Sequence, residues 1–205
     1  METIETVTLD AADPEAAARF YAEAFDLDAT RLRVRAGTDP SSGFRGFTLA
    51  LTVPRPADVD SFTESATAAG ATVLKPAHKS LWGYGSVVQA PDGAIWKLAT
   101  SAKKDTGPAT RRVDEFVLLL GVADFVATKR FYVEQGLTVA RSFGRSYAEF
   151  DAGTGPVKLA LYRRRALAKE VGVAPDGSGS HRLTVNSAGA ADFTDPDGFR
   201  WAAAA

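Results

Sequence analysis

Cysteine is absent from this chain of 205 residues, histidine occurs twice and methionine once. Without thiols there can be no disulfide, thiolate zinc site, iron–sulfur cluster or cysteine nucleophile. With only His78 and His181 available, any metal site would take most of its ligands from oxygen. An excess of one charge is missing too: 24 Lys+Arg face 25 Asp+Glu, a formal net charge of −1. That balance gives no field to attract nucleic acid, and the run Arg163-Arg164-Arg165 has no aromatic or motif support for such a partner. The longest apolar run, Phe116 to Ala123, falls far short of the roughly 20 residues that cross a bilayer. The acidic start Met1-Glu2-Thr3-Ile4-Glu5 lacks the basic end and apolar run of a signal peptide. A cytoplasmic protein without membrane or nucleic-acid partners is expected. No Ser-His-Asp order, phosphate loop or dinucleotide fingerprint is present.

What the chain does have is an internal repeat. Asp13-Pro14-Glu15-Ala16-Ala17-Ala18-Arg19-Phe20-Tyr21 is echoed by Asp124-Phe125-Val126-Ala127-Thr128-Lys129-Arg130-Phe131-Tyr132. Near the end of each half sits a turn, Ala90-Pro91-Asp92-Gly93 and Asp195-Pro196-Asp197-Gly198. Between the halves, Ser101 to Thr110 is polar, broken by Gly107-Pro108 and without periodicity. This organisation predicts a domain over 1–100, a linker over 101–111 and a second domain over 112–205.

Alternation predicts a first strand over 3–9. Asp13 as N-cap and Pro14 at the first helical position predict a helix to about Phe25, with Asp26 taking the left-handed C-cap. Strands are expected at 31–36 and 47–53, with a loop at 37–43 between them. A helix over 58–69 follows, then strands near 72–75, 84–89 and 94–99. The near-continuous apolar run from Phe116 to Leu120 suits a strand buried on both faces. After it come a helix over 125–135, strands at 137–143, 145–151 and 156–162, and a short helix over 163–171. The Gly/Ser/Pro-rich stretch 172–180 reads as irregular, and strands close the chain at 181–185 and 199–202. The order β-α-β-β-β, repeated, predicts an α+β fold with helices on the outer face of mixed sheets.

With Asp-x5-Arg-Phe-Tyr after a first strand and Pro-Asp-Gly before a last one, the chain resembles the vicinal oxygen chelate superfamily of glyoxalase I, bleomycin-resistance proteins and extradiol dioxygenases. The resemblance implies paired βαβββ modules forming cupped sheets, as two tandem glyoxalase-like domains. Each is partly trimmed, because no strands are expected between Ala36 and Phe47, and thirteen residues between His181 and Asp195 leave no room for a module helix. It further implies metal-ligand positions seven residues before the capping Asp, which are Thr6 and Val117. Others lie four residues after the turn glycine, at Lys97 and Ala202, and at the start of each second module, near Thr48 and at His181. One histidine among six such positions is too few for a catalytic metal, which takes about three protein ligands. A cation at Lys97 would repel a divalent ion. No cofactor and no metal are expected.

What remains is a cup suited to an organic molecule. Alternation sets Thr6 and Thr48 opposite the large apolar residues of their strands, and Lys97 opposite Trp96 and Leu98, so these three can face a ligand. Trp82, in Trp82-Gly83-Tyr84, can stack on a flat ligand or anchor a packed loop. Tyr147, Glu149 and Tyr162, with His181 near them, can line a polar-aromatic pocket, or be ordinary strand residues beside a rim histidine. His78 reads as exposed and inert. The preferred reading is a metal-free small-molecule-binding protein, of the drug-sequestering kind. The alternatives are a glyoxalase-like lyase or isomerase, metal-dependent or using Lys97, Glu149 or His181 as acid–base groups, and a scaffold serving to form a homodimer.

Overall fold

The structure, a computed structural model, describes residues 3–188 and 192–204. The chain begins β1 (Thr3–Ala11), α1 (Pro14–Phe25), β2 (Leu32–Ala36), β3 (Ser41–Gly43), β4 (Phe47–Thr52) and α2 (Pro56–Ala68). It continues β5 (Thr72–Ser80), β6 (Gly83–Gln89), β7 (Ile95–Thr100), β8 (Glu115–Val122), α3 (Phe125–Glu134), β9 (Val139–Phe143) and β10 (Tyr147–Phe150). It ends β11 (Val157–Arg163), α4 (Arg164–Val171), β12 (Gly177–Gly179), β13 (Leu183–Ala188), β14 (Phe193–Thr194) and β15 (Arg200–Ala203).

The repeated motif works as expected at both helices. Asp13 accepts the Ala16 N–H at 2.9 Å, and Asp124 accepts those of Val126 and Ala127 at 3.1 Å. Each carboxylate thereby satisfies amides that have no partner within the helix. Asp26 closes α1 in the left-handed conformation, φ 54° and ψ 31°. The repeat also has a reason spanning both of its ends. Tyr21 donates to Asp92 at 2.7 Å and lies 5.4 Å from the Trp96 ring. Tyr132 donates to Asp195 at 2.6 Å and lies 5.4 Å from the Trp201 ring. The tyrosine of each helix thus binds the turn that precedes a tryptophan-bearing strand.

Besides the unexpected two-residue strand β14, three segments differ from expectation. β5 runs on to Ser80 because residues 75–80 keep pairing with β6, with His78 opposite Gly85. Ser41–Gly43 forms a short strand where none was expected. Its partner is Gly177–Gly179, inside the stretch that reads as irregular, and together they make a separate two-stranded ribbon.

The principal sheet has the order β14-β15-β13-β1-β11-β8-β4-β7-β6-β5, with β2 added at β1 and β10–β9 at β11. β4 pairs antiparallel with β8 (Leu49 opposite Leu118), and β1 with β13 (Thr8 opposite Thr184). The two sequence halves therefore do not form two separate sheets, since each pairs its leading strands with strands of the other. The intervening segment is tied down as well. Buried Asp58 accepts the N–H groups of Thr110 and Arg111, and the Arg111 guanidinium lies 4.5 Å over the Phe62 ring.

One sheet face is covered by α1, α2 and α3 over a core of Phe25, Phe62, Trp96, Phe116, Tyr132 and Trp201. The opposite face is covered by α4, whose Leu167, Ala168 and Val171 are fully buried against Ala50, Val87, Leu119 and Ala160. β8 is buried on both faces, as its apolar run predicts.

Candidate ligand cleft

The α4 face is where the implied metal positions gather, and cross-strand register groups them across the halves. Lys97, Ala50, Val117 and Lys158 stand in one row on β7, β4, β8 and β11. Thr6, Asn186 and Ala202 stand in another on β1, β13 and β15. The first set therefore combines residues of both halves, rather than Thr6, Thr48 and Lys97 of one.

The donor chemistry of neither row fits a divalent ion. In the first, Lys97 is bonded through Nζ to the Glu170 carboxylate, its neighbours Ala50 and Val117 carry no donor atom, and the Lys158 ammonium is held by Glu115 at 2.5 Å. Thr48 is fully buried beneath α4 and its hydroxyl has no hydrogen-bond partner. In the second row, the Asn186 side-chain oxygen is taken by the hydroxyls of Thr6 at 3.3 Å and Thr8 at 2.7 Å. Among the described residues no group of three or more His, Asp or Glu side chains converges as a metal cage.

Beside α4 the sheet leaves a cleft of about 480 Å³. Its floor is Gly85, Val87, Lys97 and Ala99; Lys75, His78 and Trp82 stand on one side, Tyr162 and Glu170 on the other. The α4 wall is held by two contacts. Lys75 donates to the carbonyls of Lys169 and Glu170 at the helix C-terminus, where a cation also opposes the helix dipole. Lys97 pairs with the Glu170 side chain from the floor. The side chains of Lys97 and Glu170 keep 19% and 35% exposure, so both remain open to the cleft. Tyr162 is pushed up to about 12, first by burial and then by the Glu170 carboxylate, so its hydroxyl is a proton donor at neutral pH.

Trp82 sits on the β5–β6 hairpin with 85% of its surface exposed, so it is no packed anchor. Its backbone is fixed nonetheless: the Trp82 N–H donates to the Ser80 hydroxyl at 3.1 Å. Gly83 follows at φ +141°, where an added Cβ would lie 1.9 Å from the Thr100 carbonyl oxygen.

Of the residues singled out from sequence, Trp82, Lys97 and Tyr162 come together in this cleft. Tyr147 and Glu149 lie next door: the Tyr147 ring meets Tyr162 edge-on at 5.1 Å and its hydroxyl donates to Glu149 at 2.8 Å. Burial, followed by Glu149, raises the Tyr147 pKa. Thr48 lies beneath α4, and Thr6 belongs to the other row. His181 is a correction. It precedes β13 rather than opening it, stacks on Phe199 at 4.0 Å, and turns its ring nitrogens to the carbonyls of Arg45 and Asp197 at 2.5 and 3.0 Å. Those contacts make it a brace between two loops, with none of Tyr147, Glu149 or Tyr162 among its partners. Arg164 is a brace as well, donating to the carbonyls of Phe44 and Pro175.

The sequence reading missed Lys75, His78 and Glu170. An acidic residue at the end of a predicted helix beginning at β11 was the available signal, but nothing local says that this helix crosses to β5.

Comparison with known proteins bears on the fold. Residues 6–99 match the family model of the glyoxalase-like domain. Glyoxalase I from Zea mays superposes with a TM-score of 0.62 at 13% identity, covering 98% of this chain and 91% of that one. A glyoxalase-related enzyme from Fulvimarina pelagi aligns at 26% identity over 48% of this chain and 87% of that one, with a TM-score of 0.40. A glyoxalase/bleomycin resistance protein/dioxygenase family enzyme from Burkholderia phytofirmans aligns at 18% identity over 48% and 98%, with a TM-score of 0.39. No curated protein matches the sequence. The first half of the chain thus matches the glyoxalase-like domain, and the chain as a whole shares the fold of glyoxalase I. That fold is a tandem of glyoxalase-like modules. Among the described residues no helix is long and apolar enough to cross a membrane.

Proposed function

We propose that this protein binds a small organic molecule in the cleft between β5–β7 and α4, without a metal, and acts by holding that molecule as a drug-sequestering protein does. The observation that carries the reading is the Lys97–Glu170 pair. A position that the superfamily resemblance assigns to a metal ligand holds an ammonium, and the carboxylate that neutralises it comes from a helix packed into the cup. A divalent ion there would have to displace that pair and then face the lysine at close range. The remaining space is of a size that small ligands fill.

Incubating the purified protein with zinc, nickel, manganese and ferrous iron, followed by dialysis and elemental analysis, tests the metal-free part. The expected result is no retained metal; near-stoichiometric retention would overturn it. Screening small organic molecules for a raised melting temperature tests binding, because a ligand that prefers the folded state must stabilise it.

A second reading, a glyoxalase-like lyase or isomerase, draws on the resemblance to glyoxalase I from Zea mays along 98% of the chain. In that case Lys97, Glu170 and Tyr162 are the acid–base groups to examine. Turnover of methylglyoxal with glutathione, lost in Glu170→Gln, would favour it over simple binding.

A further inference from the structure

Resting on the cleft-binding reading, we propose that the cleft selects a planar aromatic anion, its ring against Trp82 and its charge on Lys97. Two features carry the inference. One is the charge of the lining: two lysines, Lys75 and Lys97, stand against a single carboxylate, Glu170. That carboxylate is already paired with Lys97, so the lining keeps an excess of one positive charge. Lys97 carries three N–H bonds and uses one on Glu170, which leaves donors at the cleft floor for an acceptor on the ligand. The other feature is Trp82, a large flat apolar surface in water at the rim of the same cleft, on a backbone held by Ser80 and Gly83. Covering it removes apolar area from water, and its ring face suits a second flat ring.

Trp82 is also a built-in reporter, since Trp96 and Trp201 are 0% and 2% exposed. The full chain is titrated with naphthalene-2-carboxylate, 2-naphthylmethanol and 2-naphthylmethylammonium, following calorimetry and Trp82 emission. The carboxylate should bind about tenfold or more tightly than the alcohol, as a charge-assisted hydrogen bond allows. Lys97→Met should bring the carboxylate down to the alcohol, with Lys97→Gln as the second variant if the methionine protein does not fold. Trp82→Leu should weaken all three. Equal binding of the three probes, or tightest binding of the ammonium, would overturn the anion preference while leaving the cleft-binding reading intact. Unchanged affinities in Trp82→Leu would overturn the stacking. Binding of none of the three would overturn the inference; a screen of other organic molecules that also raised no melting temperature would remove the cleft-binding reading beneath it.

Discussion

The two tyrosine–aspartate links at the ends of the repeat look equivalent, yet removing their hydroxyls should cost different amounts. Tyr132→Phe strips the donor from Asp195, which is 5% exposed, and the acceptor from the Trp201 indole N–H, now 3.2 Å from the Tyr132 oxygen. Two buried polar atoms, Asp195 Oδ2 and the Trp201 indole nitrogen, lose their partners at about 1–3 kcal/mol each, while Asp195 Oδ1 keeps the N–H groups of Asp197 and Phe199, so a loss of about 2–4 kcal/mol is expected after partial relaxation. Tyr21→Phe strips the donor only from Asp92 Oδ2, in a half-buried residue whose Oδ1 keeps the Ala94 N–H and which can recruit water, so a loss of about 0.5–1.5 kcal/mol is expected. The pH dependence separates them further. Burial raises the Asp195 pKa while the Tyr132 hydrogen bond lowers it. Deleting the hydroxyl therefore raises that pKa more and penalises the ionised form. The excess loss in Tyr132→Phe should be largest at neutral pH and shrink as the pH falls and Asp195 takes up its proton. Urea unfolding of both variants from pH 4 to pH 7, at unchanged m-value, reads this directly. A Tyr21→Phe loss equal to or greater than that of Tyr132→Phe, or a Tyr132→Phe loss independent of pH, would refute the reasoning.

Leu167→Ala in α4 should cost about 2–5 kcal/mol, because the side chain is fully buried in the cluster beneath the helix, and it should weaken any cleft ligand by loosening the Glu170 wall. Thermal unfolding and a probe titration on the same variant check both effects. Gly83→Ala should disturb the end of the β6–β7 pairing and the Trp82 position together, seen as a shift in Trp82 emission without added ligand. All five tyrosines have raised pKa values, Tyr84 and Tyr162 to about 12. Their contribution to stability is fully present below the unfolded value of 10.0 and lost as the pH rises from there through the folded values. Tyrosinate absorbance should therefore appear together with alkaline unfolding, and tyrosines titrating near pH 10 in a still folded protein would contradict it.

Much of the architecture was legible because its causes are local. Aspartates cap α1 and α3, Asp26 adopts the left-handed cap, and the run at β8 marks a strand buried twice. The pairing of strands was not, because alternation tells which face a residue takes and not which neighbour it meets. Thr6, Thr48 and Lys97 were correctly set opposite the large apolar residues of their strands, yet they fall into different rows once β4 pairs with β8. Of the proposed cleft, the lining was legible only where one strand or hairpin carries it, as at Lys97 and Trp82. Glu170 and Lys75 meet across 95 residues of sequence, and no local pattern encodes that contact. His181 misled because spacing counted it onto a strand that begins two residues later.

The cross-pairing of the halves has a consequence for how the chain comes to be folded. The first hundred residues can complete the β4–β7–β6–β5 sheet on their own, but two strand edges then wait for partners that arrive later. One is the β4 edge, closed by β8; the other is the β1 edge, closed by β13 some 176 residues along from Thr8. Contacts that distant are slow to form, and open edges of this kind attract other strands in the meantime. A first half folded by itself would thus present two unpaired strand edges, and β8 and β13 are the clasps that end that exposure.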